Sequence, residues 1–364
     1  MFLWLKRVLG LADAKEASSN YFRRGLQYSQ QNNHKKAFKF YQKAAKLDNP
    51  QAQYNLSIMY AQGLGVSINP NKAFFWCSKA AQNGEPLAQY NLAVIYGKGI
   101  GIEADPVESL NWYEQAAKQG MVEAQFNLGV CYAKGIGTPN DYEESAKWYS
   151  QAAKQGEVNS QYNLGCMYES GLGVEENYTE AVAWYKEAAN QGEANAQYCL
   201  GACFENGKGV DKNLQTAIQY YKQAAEGGAV AAQLSLGKIF ANEIAQELDY
   251  KSSAFWYLKA AKQGDATAQY TMGLLYEKGV GVGQDNEEAI YWFTKAAKQD
   301  HPKAKNCLGL IYNNGVGVKV DYEEAAKWYE SAADQEESNA QYNLGKLFEN
   351  GLGLKQDKQM AFFC

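Results

Sequence analysis

The sequence predicts an all-α fold, an α/α superhelical solenoid of helix–turn–helix repeats 36 residues long. Three observations carry that prediction. Stepping by 36 from Tyr54 reaches Tyr90, Phe126, Tyr162, Tyr198, Leu234, Tyr270, Asn306 and Tyr342. The residue before each is Gln53, Gln89, Gln125, Gln161, Gln197, Gln233 and Gln269, then Lys305 and Gln341, with no insertion between Gln51 and Cys364. All but one of the 8 tryptophans share another column: Trp76, Trp112, Trp148, Trp184, Trp256, Trp292 and Trp328. A fixed period of this length marks a stacked array, in which each unit buries its apolar face against its neighbours.

Taken in order, residues 1–17 read as an N-terminal leader or lead-in helix. In Met1–Asp13 the charges Lys6 and Arg7 interrupt the apolar run, whereas a cleaved signal places its charge first. Residues 18–50 form a degenerate unit, in which Gly25, Tyr28, Ala37, Tyr41 and Ala44 keep a shorter spacing similar to that of tetratricopeptide units. Residues 51–364 make nine repeats, the last incomplete. It stops at Ala361-Phe-Phe-Cys364, one turn into a second helix, with Cys364 in the tryptophan column. Because a terminal repeat needs a polar capping face, this end is expected to be a fragment boundary or a surface completed by another chain.

Each repeat predicts two helices. In the first, Ala124, Leu128 and Tyr132 fall at i, i+4 and i+8, one stripe of a helix. The second carries Ala181, Trp184, Tyr185, Ala188 and Ala189 at three-four spacing, with alanines for close backbone approach and an aromatic to fill the gap. Glycine pairs, from Gly63/Gly65 to Gly351/Gly353, suit a helix end that needs positive φ. Asn69, Asp105, Asp141, Asn177, Asn213, Asp249, Asp285, Asp321 and Asp357 then serve as N-caps. Glu108, Glu144, Glu180, Glu288 and Glu324 follow three residues later and are expected to complete capping boxes. In the sixth copy Glu243 and Ala245 replace the glycine pair, so a longer first helix or a changed turn is expected there.

Composition narrows the function. A net charge of −5 offers no basic surface, so no nucleic-acid partner is expected. No segment has the 18 or more apolar residues of a membrane span. The 7 cysteines are odd in number and form no framework, which predicts reduced thiols and a cytoplasmic setting; export through an atypical N-terminal signal is the alternative. Cys199 and Cys203 lie at i, i+4 without further ligands, and neither a metal nor a cofactor is expected. His34 and His301 are too far apart in a linear array to share a zinc site or a triad, and each is expected on a surface loop. The turn Gly201–Lys208 resembles a phosphate loop but has the wrong spacing, and Gly209 stands where Ser or Thr is needed. No catalytic residue and no small-molecule substrate is evident.

The pattern A-Q-Y-N-L-G-x-x-Y-x-x-G-x-G-V, then D-Y-x-x-A-x-x-W-Y-x-x-A-A-x-Q-G, resembles the Sel1-like repeat family of the tetratricopeptide-like superfamily. Residues 123–158 show it nearly complete: Ala124-Gln-Phe-Asn-Leu-Gly129, Gly135-Ile-Gly137, Asp141, Trp148 and Ala152-Ala153. The resemblance covers about residues 51–364. It implies a non-catalytic scaffold or adaptor that binds partner proteins or extended peptides. Cysteine-rich relatives imply an alternative, a β-lactamase or penicillin-binding-like hydrolase. Ser235–Lys238 does match S-x-x-K, but Leu236-Gly237 belong to the repeat and no S-D-N or K-T-G accompanies them. The columns that hold cysteine staples in those relatives hold Ala81/Ala88, Ala117/Ala124 and Ala153/Ser160.

By the same resemblance the first helices line a concave face. Tyr54, Tyr90, Phe126 and Tyr162 then lie on or near the groove, beside the asparagine column Asn55, Asn91, Asn127 and Asn163. A carboxamide donates and accepts at once, so such a column can satisfy a peptide backbone whatever its sequence. Two readings stand: a ligand-binding ladder, or a structural one in which Asn and Tyr serve adjacent repeats. Cys199, Ser235, Thr271 and Cys307 interrupt the asparagine column later, which places any grip between Tyr54 and Asn163. Lys98 and Lys134, followed by Glu169, Glu205 and Glu277, add a weak basic-to-acidic gradient.

Overall fold

From Pro50 to Asn350 each 36-residue unit folds as two helices of 12 or 13 residues because its punctuation is chemical and repeats without slippage. The computed structural model describes residues 2–241 and 249–363, with side chains between residues 14 and 361. Among the described residues every regular element is an α-helix. Contacts divide the chain into two units, residues 1–187 and 188–364. The first holds the pairs Phe2–Gln30 and His34–Ala45, Pro50–Gln62 and Pro70–Gln82, Pro86–Lys98 and Pro106–Lys118, and Val122–Lys134 and Tyr142–Lys154, then Val158–Ser170 and the helix starting at Tyr178. The second continues the pattern from Ala194–Asn206 and Leu214–Glu226 to Ser338–Asn350 and Lys358–Phe363. Glu243, Ala245 and Cys364, on which the expected sixth-copy turn and the unfinished end rest, lie outside the described residues.

The turn works as its composition predicts. Helix Val122–Lys134 ends at Gly135 with φ 69°, and the amides of Gly135 and Ile136 both reach the Cys131 carbonyl. The second glycine, Gly137, has φ 74°, and a Cβ there would lie 2.1 Å from the Pro106 carbonyl of the preceding pair. Two constraints therefore coincide: backbone hand and backbone-to-backbone approach. Asp141 then caps helix Tyr142–Lys154 by accepting from the Glu144 amide at 3.0 Å.

The expected capping box is only half made. The Asp141 amide donates to the Tyr132 carbonyl at 2.9 Å, so it is not available to the Glu144 carboxylate. Every N-cap of the series from Asn69 to Asp357 makes this same bond, to the residue nine before it. The glutamates take other partners: Glu144 pairs with Lys147 and Glu324 with Lys327, while Glu288 accepts from the Trp292 indole. Tertiary closure of the helix pair wins over the local motif.

Packing within a pair rests on a glycine facing an aromatic ring. A Cβ on Gly129 would lie 2.7 Å from the Tyr149 ring, and one on Gly165 would lie 2.6 Å from the Tyr185 ring. The first pair repeats the contact at a shorter sequence spacing, through Gly25 and Tyr41, at 2.5 Å. In the second unit Gly201, Gly237, Gly273 and Gly309 seat Tyr221, Tyr257, Phe293 and Tyr329. Paired alanines and a leucine column complete the core, with Met272 standing in once; Leu56, Leu92, Leu128, Leu200, Leu236, Met272 and Leu308 are sealed.

Tryptophan joins one pair to the next. Trp148 packs on Ala116, Ala117, Ala124 and Leu128, and Trp184 on the cluster that includes Ala146 and Leu164. The glutamine column adds a polar link across the same boundary. Gln53, Gln89, Gln125 and Gln161 are buried, and each Nε2 donates to the carbonyl eight residues before it, on the last turn of the preceding helix. Each of these carbonyls also accepts from a backbone amide of its own turn, so the glutamine adds a second bond, about 0.5–1.5 kcal/mol, that ties one pair to the next.

Candidate partner-binding face

In the first unit, four successive first helices carry the expected site residues between two sealed positions. On helix Pro50–Gln62, Gln53 and Leu56 are buried, while Tyr54 and Asn55 between them are half-buried. The same holds for Tyr90 and Asn91, Phe126 and Asn127, and Tyr162 and Asn163. All eight therefore form the rim of the core on the first-helix side.

The rings are held from below by the second helix of the same pair. Tyr90 meets Tyr113 at 5.7 Å between centroids, Phe126 meets Tyr149 at 6.0 Å, and Tyr162 meets Tyr185 at 6.1 Å, all tilted. Such pairs contribute about 0.5–1.5 kcal/mol beyond burial, so the face is pre-ordered. Burial pushes the Tyr149 phenol up to about 12, opposed by the side chains of Ser145 and Asn163 beside it. These lower-tier tyrosines were missed from the sequence as partners of the rim. The available signal was that each follows the tryptophan column by one residue.

The asparagines do not act alike. Asn55 and Asn127 donate to carbonyls four residues back on their own helices, Gln51 and Glu123, at 3.0 and 2.7 Å. Asn91 instead donates to the Tyr54 hydroxyl of the previous pair at 3.0 Å, joining the tyrosine and asparagine columns across a repeat boundary. Asn163 lies against Tyr149. The structure thus brings Tyr54 and Asn91 together, and spends part of the amide capacity within the fold.

The acidic end of the expected charge gradient has an internal use. Glu169 accepts from the Tyr185 hydroxyl at 2.6 Å and Glu205 from the Tyr221 hydroxyl at 2.5 Å. Those carboxylates are tied to the core edge.

Residues considered for chemistry are dispersed. His301 is more than a surface-loop residue, because its Nδ1 caps helix Pro302–Asn314 by accepting from Ala304, and its ring stacks on Tyr270 at 4.8 Å. Half burial and the Lys303 charge hold its pKa below the usual 6.5. His34 begins its helix, where its backbone lies against Gly65. Ser235 faces the Tyr221 phenol, and Lys238 is exposed. Ala81, Ala88, Ala117, Ala124, Ala153 and Ser160, at the staple columns, are all buried. Burial raises the thiols of Cys77 and Cys131 to about 11 and that of Cys307 to about 12. Among the described residues no group of three or more His, Cys, Asp or Glu could hold a metal ion, and no helix is long and apolar enough to cross a membrane.

Comparison with known proteins agrees with this architecture. The family model described as the Sel1 repeat matches ten successive segments: 17–49, 50–85, 86–121, 122–157, 158–193, 194–228, 230–265, 266–301, 302–337 and 338–364. The chain is similar to a protective antigen with an SLR fold from uropathogenic Escherichia coli, with 35% identity and a TM-score of 0.81 over 97% of this chain and 78% of that one. It is also similar to a Sel1 repeat protein from Oxalobacter formigenes, with 31% identity and a TM-score of 0.64 over 85% of this chain and 91% of that one. A search of curated proteins found no match. Such arrays are generally used for protein–protein interaction and are generally non-catalytic. With glycine turns, buried glutamines and tryptophan joints recurring through nearly its whole length, the chain belongs to the Sel1 repeat family.

Proposed function

We propose that this protein is a non-catalytic scaffold or adaptor that works in the cytoplasm. It holds a partner protein or an extended peptide on the face shared by its first helices, the concave side expected from the sequence. The contact residues are Tyr54, Asn55, Tyr90, Asn91, Phe126, Asn127, Tyr162 and Asn163. One observation carries the reading: these columns stay half-buried while the glutamine and leucine columns flanking them are sealed. The rings of Tyr90, Phe126 and Tyr162 sit on a second tier of aromatics and lose little freedom on binding, which favours contact area at low entropic cost. Affinity then accumulates over successive repeats from modest contacts.

The test compares affinity captures by the wild type and a variant with Asn55, Asn91, Asn127 and Asn163 changed to alanine, after matching helicity and Tm. Specific partners lost from the folded variant support the reading. Unchanged capture overturns it and moves the search to the second helices and loops.

A further inference from the structure

One copy of the repeat lacks its own ring, and a pocket opens in its place. In the pair Pro50–Gln62 and Pro70–Gln82, the glycine–tyrosine contact seen as Gly129–Tyr149 and Gly165–Tyr185 is replaced by Ser57 and Cys77. A cavity of about 460 Å³ adjoins them. Its walls are the counterparts of what a tyrosine touches elsewhere. The Tyr185 ring lies over Gly165, and its hydroxyl reaches Cys166 and Glu169; the equivalent residues, three repeats earlier, are Ser57, Ile58 and Ala61. The Tyr149 phenol lies against Asn163, whose equivalent here is Asn91. All four line the cavity.

We propose that this pocket is an anchor site for a tyrosine side chain presented by a partner protein. The inference deepens the scaffold reading and rests on it for the source of the ring. The occupant follows from the volume and chemistry that the other copies fill with their own ring, a phenol in all but the copy that carries Phe293. No charged side chain lines the cavity, which complements an uncharged ring, and the exposed Gln62 and Ile100 stand at its lining, leaving it reachable from solvent. Ala61 in place of the glutamate removes one acceptor for the hydroxyl. Asn91 supplies another: its Nδ2 donates to Tyr54, and its Oδ1 accepts the phenol proton. The Cys77 thiol is buried at the floor and donates towards the Ala88 carbonyl at 3.6 Å. It contributes shape and no charge. The site therefore reads a ring and then a hydroxyl.

Methyl NMR of the full chain, titrated with p-cresol and with toluene, tests the pocket without a partner. Shifts confined to the methyls of Ile58, Ala61, Ile95 and Ile100 are expected, with p-cresol favoured over toluene about threefold to tenfold, the contribution of one buried hydrogen bond. Asn91→Ala should abolish that preference while toluene still binds. Ser57→Gly with Cys77→Tyr restores the internal ring, so a raised Tm and loss of p-cresol binding are expected. No p-cresol shifts at these methyls in folded wild type, or equal binding by the refilled variant, overturns the pocket. Capture separates the two readings. Partners retained by the refilled variant but lost from the four-asparagine variant keep the scaffold face and overturn the anchor. Partners lost from both support the anchor.

Discussion

The Nε2 of Gln155 donates to the Oε1 of Gln125 at 2.7 Å, linking side chains thirty residues apart on the two helices of one repeat. Gln125 in turn donates to the Ala117 carbonyl at 3.1 Å, and Gln155 also reaches the Gly120 carbonyl at 3.3 Å. Gln89 and Gln119 repeat the arrangement one copy earlier, as do Gln233 with Gln263 and Gln269 with Gln299 in the second unit. Changing Gln125 to methionine keeps the volume but gives up its bonds to Ala117, Gln151 and Gln155. A loss of about 0.5–1.5 kcal/mol per bond given up is expected, since the Ala117 carbonyl keeps the Gly120 amide at 2.9 Å. Urea unfolding followed by circular dichroism checks it, and Gln219→Met, at an exposed helical position, is the control.

The eighth full-register copy solves the same problem with a cation. Lys305 is buried, its Nζ lies 2.9 Å from the Asp300 carboxylate, and Gln335, turned to satisfy both ends of its amide, accepts from it at 2.7 Å. Lys305→Gln restores the ladder residue and is expected to fold with a small change in midpoint. Lys305→Met gives up the charged hydrogen bonds to Asp300 and Gln335 and should cost more, about 1–3 kcal/mol. Equal midpoints for the two variants would show that the site is insensitive to polarity.

Glycine in the first helix is a packing requirement wherever a ring faces it. Gly165→Ala puts a Cβ 2.6 Å from the Tyr185 ring and 3.3 Å from the Ala181 carbonyl. Helix propensity favours alanine by about 0.8–1 kcal/mol, but overpacking costs about 1–3 kcal/mol and should win. A lower urea midpoint is the expected result. Ala93 gives an internal precedent: it occupies the glycine column, and its facing Tyr113 is only half-buried where Tyr149 and Tyr185 are sealed.

The half-made capping box separates two residues that the sequence treats as a unit. Asp141→Ala should lower stability by about 1 kcal/mol, because the Glu144 amide loses its acceptor. Glu144→Ala should cost much less, since the Asp141 amide is held by Tyr132 and the Lys147 pair is solvent-exposed. Equal losses would mean that the carboxylate at Glu144 supports the cap after all.

What could be read in advance followed from locality. Gly135, Gly137 and Asp141 act on backbone within a few residues, so their types alone announce a helix end and a helix start. Gln125 was legible as a recurring residue but not as a joint, because its partners stand eight residues before and thirty after it. The Ser57 and Cys77 exchange shows the same limit. Both departures are visible in one copy, yet their connection depends on knowing that Gly129 faces Tyr149 across a helix pair. The asparagine column looks uniform in sequence, whereas Asn55 bonds its own helix and Asn91 bonds the neighbouring Tyr54.

His301 makes stability depend on pH in a way the rest of the capping series cannot. Its ring accepts from the Ala304 amide at 3.3 Å, which requires a bare Nδ1, and burial followed by the Lys303 charge lowers its pKa in the folded state. The unfolded chain therefore binds the proton more readily, with a pKa near 6.5. Stability contributed by this neutral cap is complete above that value and is lost as the pH falls through about 6.5 towards the lower folded pKa. Below the folded pKa both states carry the proton, and the loss stops growing. Asparagine at the same position caps without titrating, as Asn69 and Asn213 do elsewhere in the chain. Tm measured from about pH 7.5 to about pH 5.5 should fall further for the wild type than for His301→Asn, and the difference removes whatever else is common to both. Parallel curves would show that the His301 cap does not titrate in this window.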